Sequence, residues 1–317
     1  MHFQYFGPDH IRDALPYDAC IDIMRLAMKR LSADPTDQPL RSISQISPGK
    51  LLGVMPGSLS QTGVFGLKVV SVFEGVRDGG RSAHQGLVIL FSSDTGSVLC
   101  TGDAEEITRI RTAAATAAAT DALARKEASR LAVFGCGVQA RSHVLALKHV
   151  RALSDVVVWG RSHAVAASFA DDLASETGLP VRAEADAERA ASGADIICTV
   201  TAAHEPVLFR EWVAPGTHVN AVGSSRPGPT EIDDALVAAS RYVADYRRSA
   251  LAAASEFLNA KAAGIIDDDH IVGEIGEVLS GRIAGRTSAD EITLYKSLGH
   301  IAQDLSALAH VYAVSST

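Results

Sequence analysis

Gly135-x-Gly137-x-x-Ala140 stands directly after the apolar run Arg130-Leu-Ala-Val-Phe134 and opens a helical pattern that continues through His143. Two glycines and a small residue at this spacing make a phosphate-binding turn. Gly135 turns tightly, Gly137 lets backbone approach a pyrophosphate, and Ala140 lets the helix pack on the strand. The helix start, at Val138 and Gln139, then offers N–H groups and a positive dipole end to phosphate. The triplet alone also fits an ordinary β–α turn; a strand before it and a helix after it favour a dinucleotide. A second set of residues is cationic: Arg41 in Leu40-Arg-Ser42, Lys68 in Gly66-Leu-Lys-Val69 and Arg111 in Arg109-Ile-Arg-Thr112. A cation among apolar residues needs an anion. Each one singly reads as a structural salt bridge, whereas three ahead of a dinucleotide fold point to a small carboxylate ligand.

Two further runs end where ligands bind in open α/β sheets, at the carboxyl edge. They are Ile196-Ile-Cys-Thr199-Val200-Thr201 and Asn220-Ala-Val222-Gly223, the second leading into Ser224-Ser225-Arg226-Pro-Gly228. Another run, Val156-Val-Val-Trp159, is followed by Gly160-Arg161-Ser162, with no acid where NAD enzymes often hold the ribose hydroxyls. Arg161 and Ser162 fit a 2′-phosphate, which tilts the expectation from NAD(H) toward NADP(H). The other reading of Arg161 is a solvated loop residue.

The elements that must position these residues follow from periodicity. Residues 11–33 predict an amphipathic helix, and 41–46, 51–55, 65–73, 86–91 and 97–100 read as strands separated by Gly and Asp clusters. The alanine-rich stretch 104–126 predicts a closely packed core helix. From 130 to about 246, strands at 130–134, 155–159, 181–184, 195–201, 217–222 and 241–246 alternate with helices, clearest at 138–151 and 163–176. That is the βαβ pattern of a parallel sheet with helices on both faces. Residues 250–313 read as mostly helical, with a loop at 265–270 and a last helix over 288–312. Glu231 and Asp233 read as caps of the helix that follows them.

Composition narrows the function classes. Of 317 residues 47% are hydrophobic and 21% charged, as in a globular enzyme. The net charge of −8 argues against a nucleic-acid or anionic-membrane surface. No apolar run approaches the ~20 residues of a membrane span, and Met1–His10 lacks a basic-then-apolar leader pattern. Cys20, Cys100, Cys136 and Cys198 have no CxxC spacing, so neither a metal site nor a disulfide framework is expected, and a reduced cytoplasmic setting is.

Several segments together resemble the ornithine cyclodeaminase/mu-crystallin family over nearly the whole chain: Gly53-Val-Met-Pro56, Gly66-Leu-Lys68, Ile107-Thr-Arg-Ile-Arg111-Thr-Ala-Ala, the glycine turn, Asn220-Ala-Val-Gly-Ser-Ser-Arg-Pro227, Glu231-Ile-Asp233 and Lys296-Ser-Leu-Gly299. The resemblance implies an α/β fold: a doubly wound Rossmann sheet binding NAD(P), plus a second α+β domain for substrate binding and homodimer formation. Its boundaries would be 1–112, joined by a C-terminal helix at about 300–317, and 113–299. It implies that Arg41, Lys68 and Arg111 hold the α-carboxylate of an amino or imino acid, and that Thr112 meets a cofactor phosphate. Cyclodeaminases carry an aspartate and a glutamate where this chain has Ser225 and Gly53. The chain is closer to the imine-reducing branch, with hydride passing from NAD(P)H to C2 of a 2-imino carboxylate. On that reading Lys68 and Ser225 act at the reacting centre, and Arg226 and His84 contact substrate. The imine is of the Δ1-pyrroline-2-carboxylate or ketimine type, or iminosuccinate reduced to L-aspartate; a cyclodeaminase lyase and an NADPH-dependent ligand-binding protein are the alternatives from other classes.

Overall fold

The computed structural model describes residues 4–34, 38–59, 62–73 and 84–316. The chain divides into two compact units, Met1–Arg111 with His300–Thr317, and Thr112–Gly299. In the first unit β1 (Gln4–Phe6), β2 (Ser42–Ser47), β3 (Lys50–Leu59), β4 (Val64–Phe73), β5 (His84–Ser92) and β6 (Val98–Asp103) form one sheet in the order β1-β6-β5-β4-β3-β2. Strands β2 to β6 pair antiparallel and β1 joins β6 in parallel. Successive side chains on a strand point to opposite faces. One face of β4 and β5 buries Lys68, Val88 and Leu90, and on this sheet packs α11 (Ile301–Ser315). The opposite face is open: Leu67, Val69, Leu87, Ile89 and Phe91 are only half-buried, and Phe65, stacked on Phe91, is 37% exposed.

The helix predicted over 11–33 is two helices, α1 (Pro8–Ala14) and α2 (Tyr17–Ala33). Pro16 separates them, since its ring cannot continue a helix from the preceding turn. Strand β1 escaped the sequence reading because three residues carry no usable period. The alanine-rich helix α3 (Ala104–Leu123) is buried along Ala113–Ala119, and the boundary between the units falls within it.

The second unit holds eight parallel strands: β7 (Arg130–Phe134), β8 (Asp155–Trp159), β9 (Val181–Ala183), β10 (Ile196–Thr199), β11 (His218–Ala221), β12 (Ser240–Ala244), β13 (Ile271–Glu274) and β14 (Ile292–Lys296). Their order is β13-β12-β14-β11-β10-β7-β8-β9. The order reverses between β7 and β10, which makes the carboxyl ends of those strands the crevice where a doubly wound sheet takes its ligand. Helices α4 (Val138–Leu147), α5 (His163–Thr177), α6 (Ala187–Ala191), α7 (Asp234–Ala239), α8 (Arg247–Ala253), α9 (Ser255–Ala262) and α10 (Ile275–Leu279) connect strands.

Residues 250–313 are not mostly helical. Strand β13 and the interior strand β14 lie inside it, and the last helix begins at Ile301 rather than near 288. All five residues of β14 are buried. A strand covered on both faces has no alternation, so its apolar run cannot be told from a helix by period.

Candidate active site

In the first unit Lys68 comes from the middle of β4, Arg111 from α3 and Asp304 from the first turn of α11, and all three are at least 95% buried. Lys68 Nζ donates to Asp304 Oδ1 at 2.9 Å and to the Thr108 hydroxyl. Arg111 Nε donates to the same Oδ1 at 3.1 Å, and its Nη1 to Gln303 Oε1 at 2.7 Å. Asp304 Oδ2 is buried without a hydrogen-bond partner. Burial penalises the Asp304 carboxylate, but Arg111 and Lys68 outweigh it and hold the group below its usual range. Lys68 moves the other way. Burial brings its pKa down to about 8, Asp304 opposing and Arg111 and Arg41 adding to the fall. Half-buried Arg41, just before β2, therefore bears on the same cluster. His300 caps α11: its Nδ1 accepts from the Ala302 N–H at 3.1 Å. Burial, then Arg41, lower its pKa to about 4, so the ring is neutral. The three cations singled out in sequence thus share one electrostatic neighbourhood with a single buried carboxylate that sequence reading missed.

In the second unit the glycine turn links β7 to α4 as its spacing predicts. Gly135 has φ 126°, a region open to glycine, and a Cβ there would lie 2.9 Å from the Val200 carbonyl across the strand-order reversal. Gly137 is the N-cap of α4 and puts no side chain over the helix's positive end, while Ala140 is fully buried against the sheet. Val138 is 57% exposed at the first helical position, and Gln139 is half-buried beside it. Thr112 Oγ1 is buried with no hydrogen-bond partner. A helix end without a covering side chain, after a turn whose φ suits glycine, is what a dinucleotide phosphate requires, and the Thr112 hydroxyl is a buried polar atom left without a protein partner. Arg161 and Ser162 are exposed after β8, and the Ser162 hydroxyl is already used, accepting from the Val165 N–H to cap α5.

Glu231 is not a helix cap. Asp233 alone caps α7, accepting from the Leu236 N–H at 3.0 Å. Glu231 is fully buried and gathers the Thr199 hydroxyl (2.9 Å), the Thr201 N–H (2.6 Å) and hydroxyl (2.8 Å), the Gly223 N–H (2.6 Å) and the Ser224 N–H (3.3 Å). Ser224 donates its hydroxyl to Glu256 Oε1, and Lys296 Nζ, 3.0 Å from Glu256 Oε2, donates to the Ser224 carbonyl and hydroxyl. The hydroxyls of Thr199, Thr201 and Ser224, read as cofactor contacts, are therefore engaged within the protein, as are the N–H groups of Val200, Thr201, Val222, Gly223 and Ser224, which leaves backbone carbonyls rather than donors to meet a ligand there. Val222 is buried and its N–H donates to the Thr199 carbonyl at 3.0 Å. Ser225 and Arg226 are half-buried in the loop beyond, where the Arg226 carbonyl accepts from Ser255. His84 begins β5, but its side chain lies outside the described residues. Among the described residues no group of three His, Cys, Asp or Glu is placed to hold a metal, and no helix is long and apolar enough to cross a membrane.

Residues 9–316 match the sequence model of the Ornithine cyclodeaminase/mu-crystallin family. The chain is 35% identical over 308 residues to the ketimine reductase mu-crystallin of Mus musculus, covering 96% of this chain and 93% of that one. Among solved structures it is similar to the Δ1-pyrroline-2-carboxylate reductase of Thermococcus litoralis in complex with NADH and L-proline (TM-score 0.95, 28% identity, 99% of this chain and 98% of that one). It is also similar to an archaeal alanine dehydrogenase dimer with bound NAD (TM-score 0.93, 30% identity, 100% and 97%).

Proposed function

The chain belongs to the ornithine cyclodeaminase/mu-crystallin family, and from that premise we propose that it reduces a small 2-imino carboxylate to an L-amino acid with NAD(P)H. The observation that carries this reading is the cluster of Arg41, Lys68 and Arg111 around the single buried carboxylate Asp304. Lys68 and Arg111 share the one carboxylate, and a carboxylate ligand would offset that surplus. The relatives' names agree: each acts on, or is bound to, a small imino or amino acid or is named for one.

Arg111, Lys68 and Arg41 hold the substrate carboxylate and fix the imine carbon, chiefly a positioning effect. Lys68, near pKa 8, holds a proton at neutral pH and can pass it to the imine nitrogen directly or through water, which makes the adjacent carbon the better hydride acceptor. The nicotinamide, when bound, supplies that hydride. Gly135, Gly137, Val138, Gln139, Ala140 and Thr112 would hold the cofactor's phosphates, with the backbone of Thr199–Thr201 and Val222–Ser224 toward its other end. Ser225 and Gly53 replace the acids of cyclodeaminases, and reduction of a protonated imine needs neither. Arg161 favours NADPH. The open apolar face of the first unit's sheet, from Leu67 to Phe91, fits a second copy of this chain, in keeping with the dimeric alanine dehydrogenase. The four free thiols fit a cytoplasmic setting.

The test is oxidation of NADPH and NADH, followed at 340 nm, against Δ1-pyrroline-2-carboxylate, Δ1-piperideine-2-carboxylate, oxaloacetate with ammonium, and pyruvate with ammonium. Turnover of a cyclic imine is expected. Measurable nucleotide binding with no turnover on the panel would overturn the reading.

A further inference from the structure

We propose that Glu231 is the positioning residue for the nicotinamide half of the cofactor site, acting through the two strand-end turns it holds together. The inference rests on the cofactor reading above. The turn after β10 contributes the Thr201 N–H, Thr201 Oγ and Thr199 Oγ, and the turn after β11 contributes the Gly223 and Ser224 N–H groups; all five donate to one buried carboxylate. The Val222 and Gly223 N–H groups also donate to the Thr199 carbonyl, at 3.0 and 3.1 Å, so the two turns are closed on each other. Gly223 allows this closeness: a Cβ at that position would lie 2.2 Å from the Thr201 carbonyl and 2.4 Å from Glu231 Oε1. Behind Glu231, Glu256 accepts from the Glu231 N–H at 3.2 Å and from Ser224, and Lys296 pairs with Glu256. A second layer therefore holds the first.

Every partner of the Glu231 carboxylate is a donor to it, and that makes the residue hard to replace. An amide at this position would turn an NH2 toward a backbone N–H whichever way it rotated: toward Thr201 on one side, toward Gly223 and Ser224 on the other. Aspartate is one methylene short of both turns. The turns lie at the carboxyl ends of β10 and β11, on the side of the β7–β10 reversal away from the β7–α4 phosphate turn. Glu231 thus holds directly the two turns on one side of the reversal, and it meets the phosphate turn only indirectly, through Val200, whose N–H donates to the Phe134 carbonyl at 2.9 Å.

The experiment is a pair of binding titrations on E231Q, with ADP as the probe for the adenosine half and NADH for the whole cofactor. Amide hydrogen exchange on the nucleotide-free protein accompanies them. Affinity for ADP is expected within about twofold of wild type and NADH weaker by about tenfold or more, as donors lose their acceptor. Exchange at Gly223 and Ser224 is expected to quicken, and any NADH turnover to lose kcat. If E231Q does not fold, E256Q, which loosens only the supporting layer, should show the same selectivity more weakly. Equal loss of ADP and NADH affinity, or unchanged binding with lowered stability alone, would overturn the proposal and leave Glu231 a structural residue. None of these binding and exchange readouts uses an imine, so a chain that reduced nothing on the panel would still decide the role of Glu231.

Discussion

Lys68 and Arg111 share a single oxygen of Asp304, and the second oxygen has no partner. In the other unit the Glu231 carboxylate has donors on both oxygens, and Glu256 is met by Ser224, Lys296 and a backbone N–H. Both clusters are buried, and both combine lysine with carboxylate. One has two buried cations on a single carboxylate and a lysine whose pKa has fallen to about 8; in the other, both oxygens of Glu231 are met by donors, and Glu256 Oε2 has Lys296 at 3.0 Å without a hydrogen bond. An anion would offset the charge of Lys68 and Arg111, whereas the second Asp304 oxygen, an acceptor, calls for a donor such as a protonated nitrogen. The difference separates a cluster with cationic charge left over from a polar core in which a carboxylate holds backbone still.

The largest expected effect breaks the Glu231–Glu256 cluster. Lys296→Met leaves two buried glutamates without their lysine, and urea unfolding should show a stability loss of about 3–5 kcal/mol. Arg111→Ala acts on the incomplete cluster, where Asp304 keeps Lys68. It should lower kcat/KM by the equivalent of about 2–4 kcal/mol while costing less stability than the lysine change. Near-wild-type steady-state kinetics would remove Arg111 from the substrate site.

Lys68 sharpens the contrast through pH. Its folded pKa lies below the usual 10.5, so between about 8 and that value the unfolded chain binds the extra proton. Its contribution to stability therefore rises with pH across that window and is lost as pH falls through about 8. Carboxylate binding runs in the opposite sense. Affinity for a carboxylate inhibitor should be level below pH 8 and fall by up to about tenfold per unit above it. Lys68→Arg should flatten the profile, and Asp304→Asn, which removes the opposing charge, should move its break to lower pH. The smallest effect belongs to Arg161, outside both clusters: Arg161→Ala should weaken NADPH by about tenfold and NADH less. Equal losses in a fluorescence titration would leave Arg161 without a part in cofactor choice.

The parts of the molecule legible in sequence were those with local signatures. The glycine turn between β7 and α4 is contiguous, and the cations at 41, 68 and 111 stand out against small and apolar neighbours. Asp304 was not legible, because it meets Lys68 across more than two hundred residues of chain. Its only local signal is the polar pair Gln303-Asp304 between the apolar residues Ile301, Ala302 and Leu305, a pattern that asks for a buried cation elsewhere. Glu231 was misread for the opposite reason. It sits two residues before a true cap, Asp233, and local spacing invited a local role for a residue whose partners lie on two distant strand ends. Strand β14 was lost because complete burial erases the alternation that marks a strand.

The four cysteines have a practical consequence. Cys20, Cys100 and Cys198 are buried, and burial raises all three thiols, those of Cys100 and Cys198 to about 12. Burial raises the Cys136 thiol too, but it alone of the four is half-buried, within the β7–α4 turn, so accessibility puts it ahead of the rest for an alkylating reagent. The chain thus carries its own footprinting reporter. A nucleotide at the turn is expected to slow the labelling of Cys136, with no residue introduced to report it.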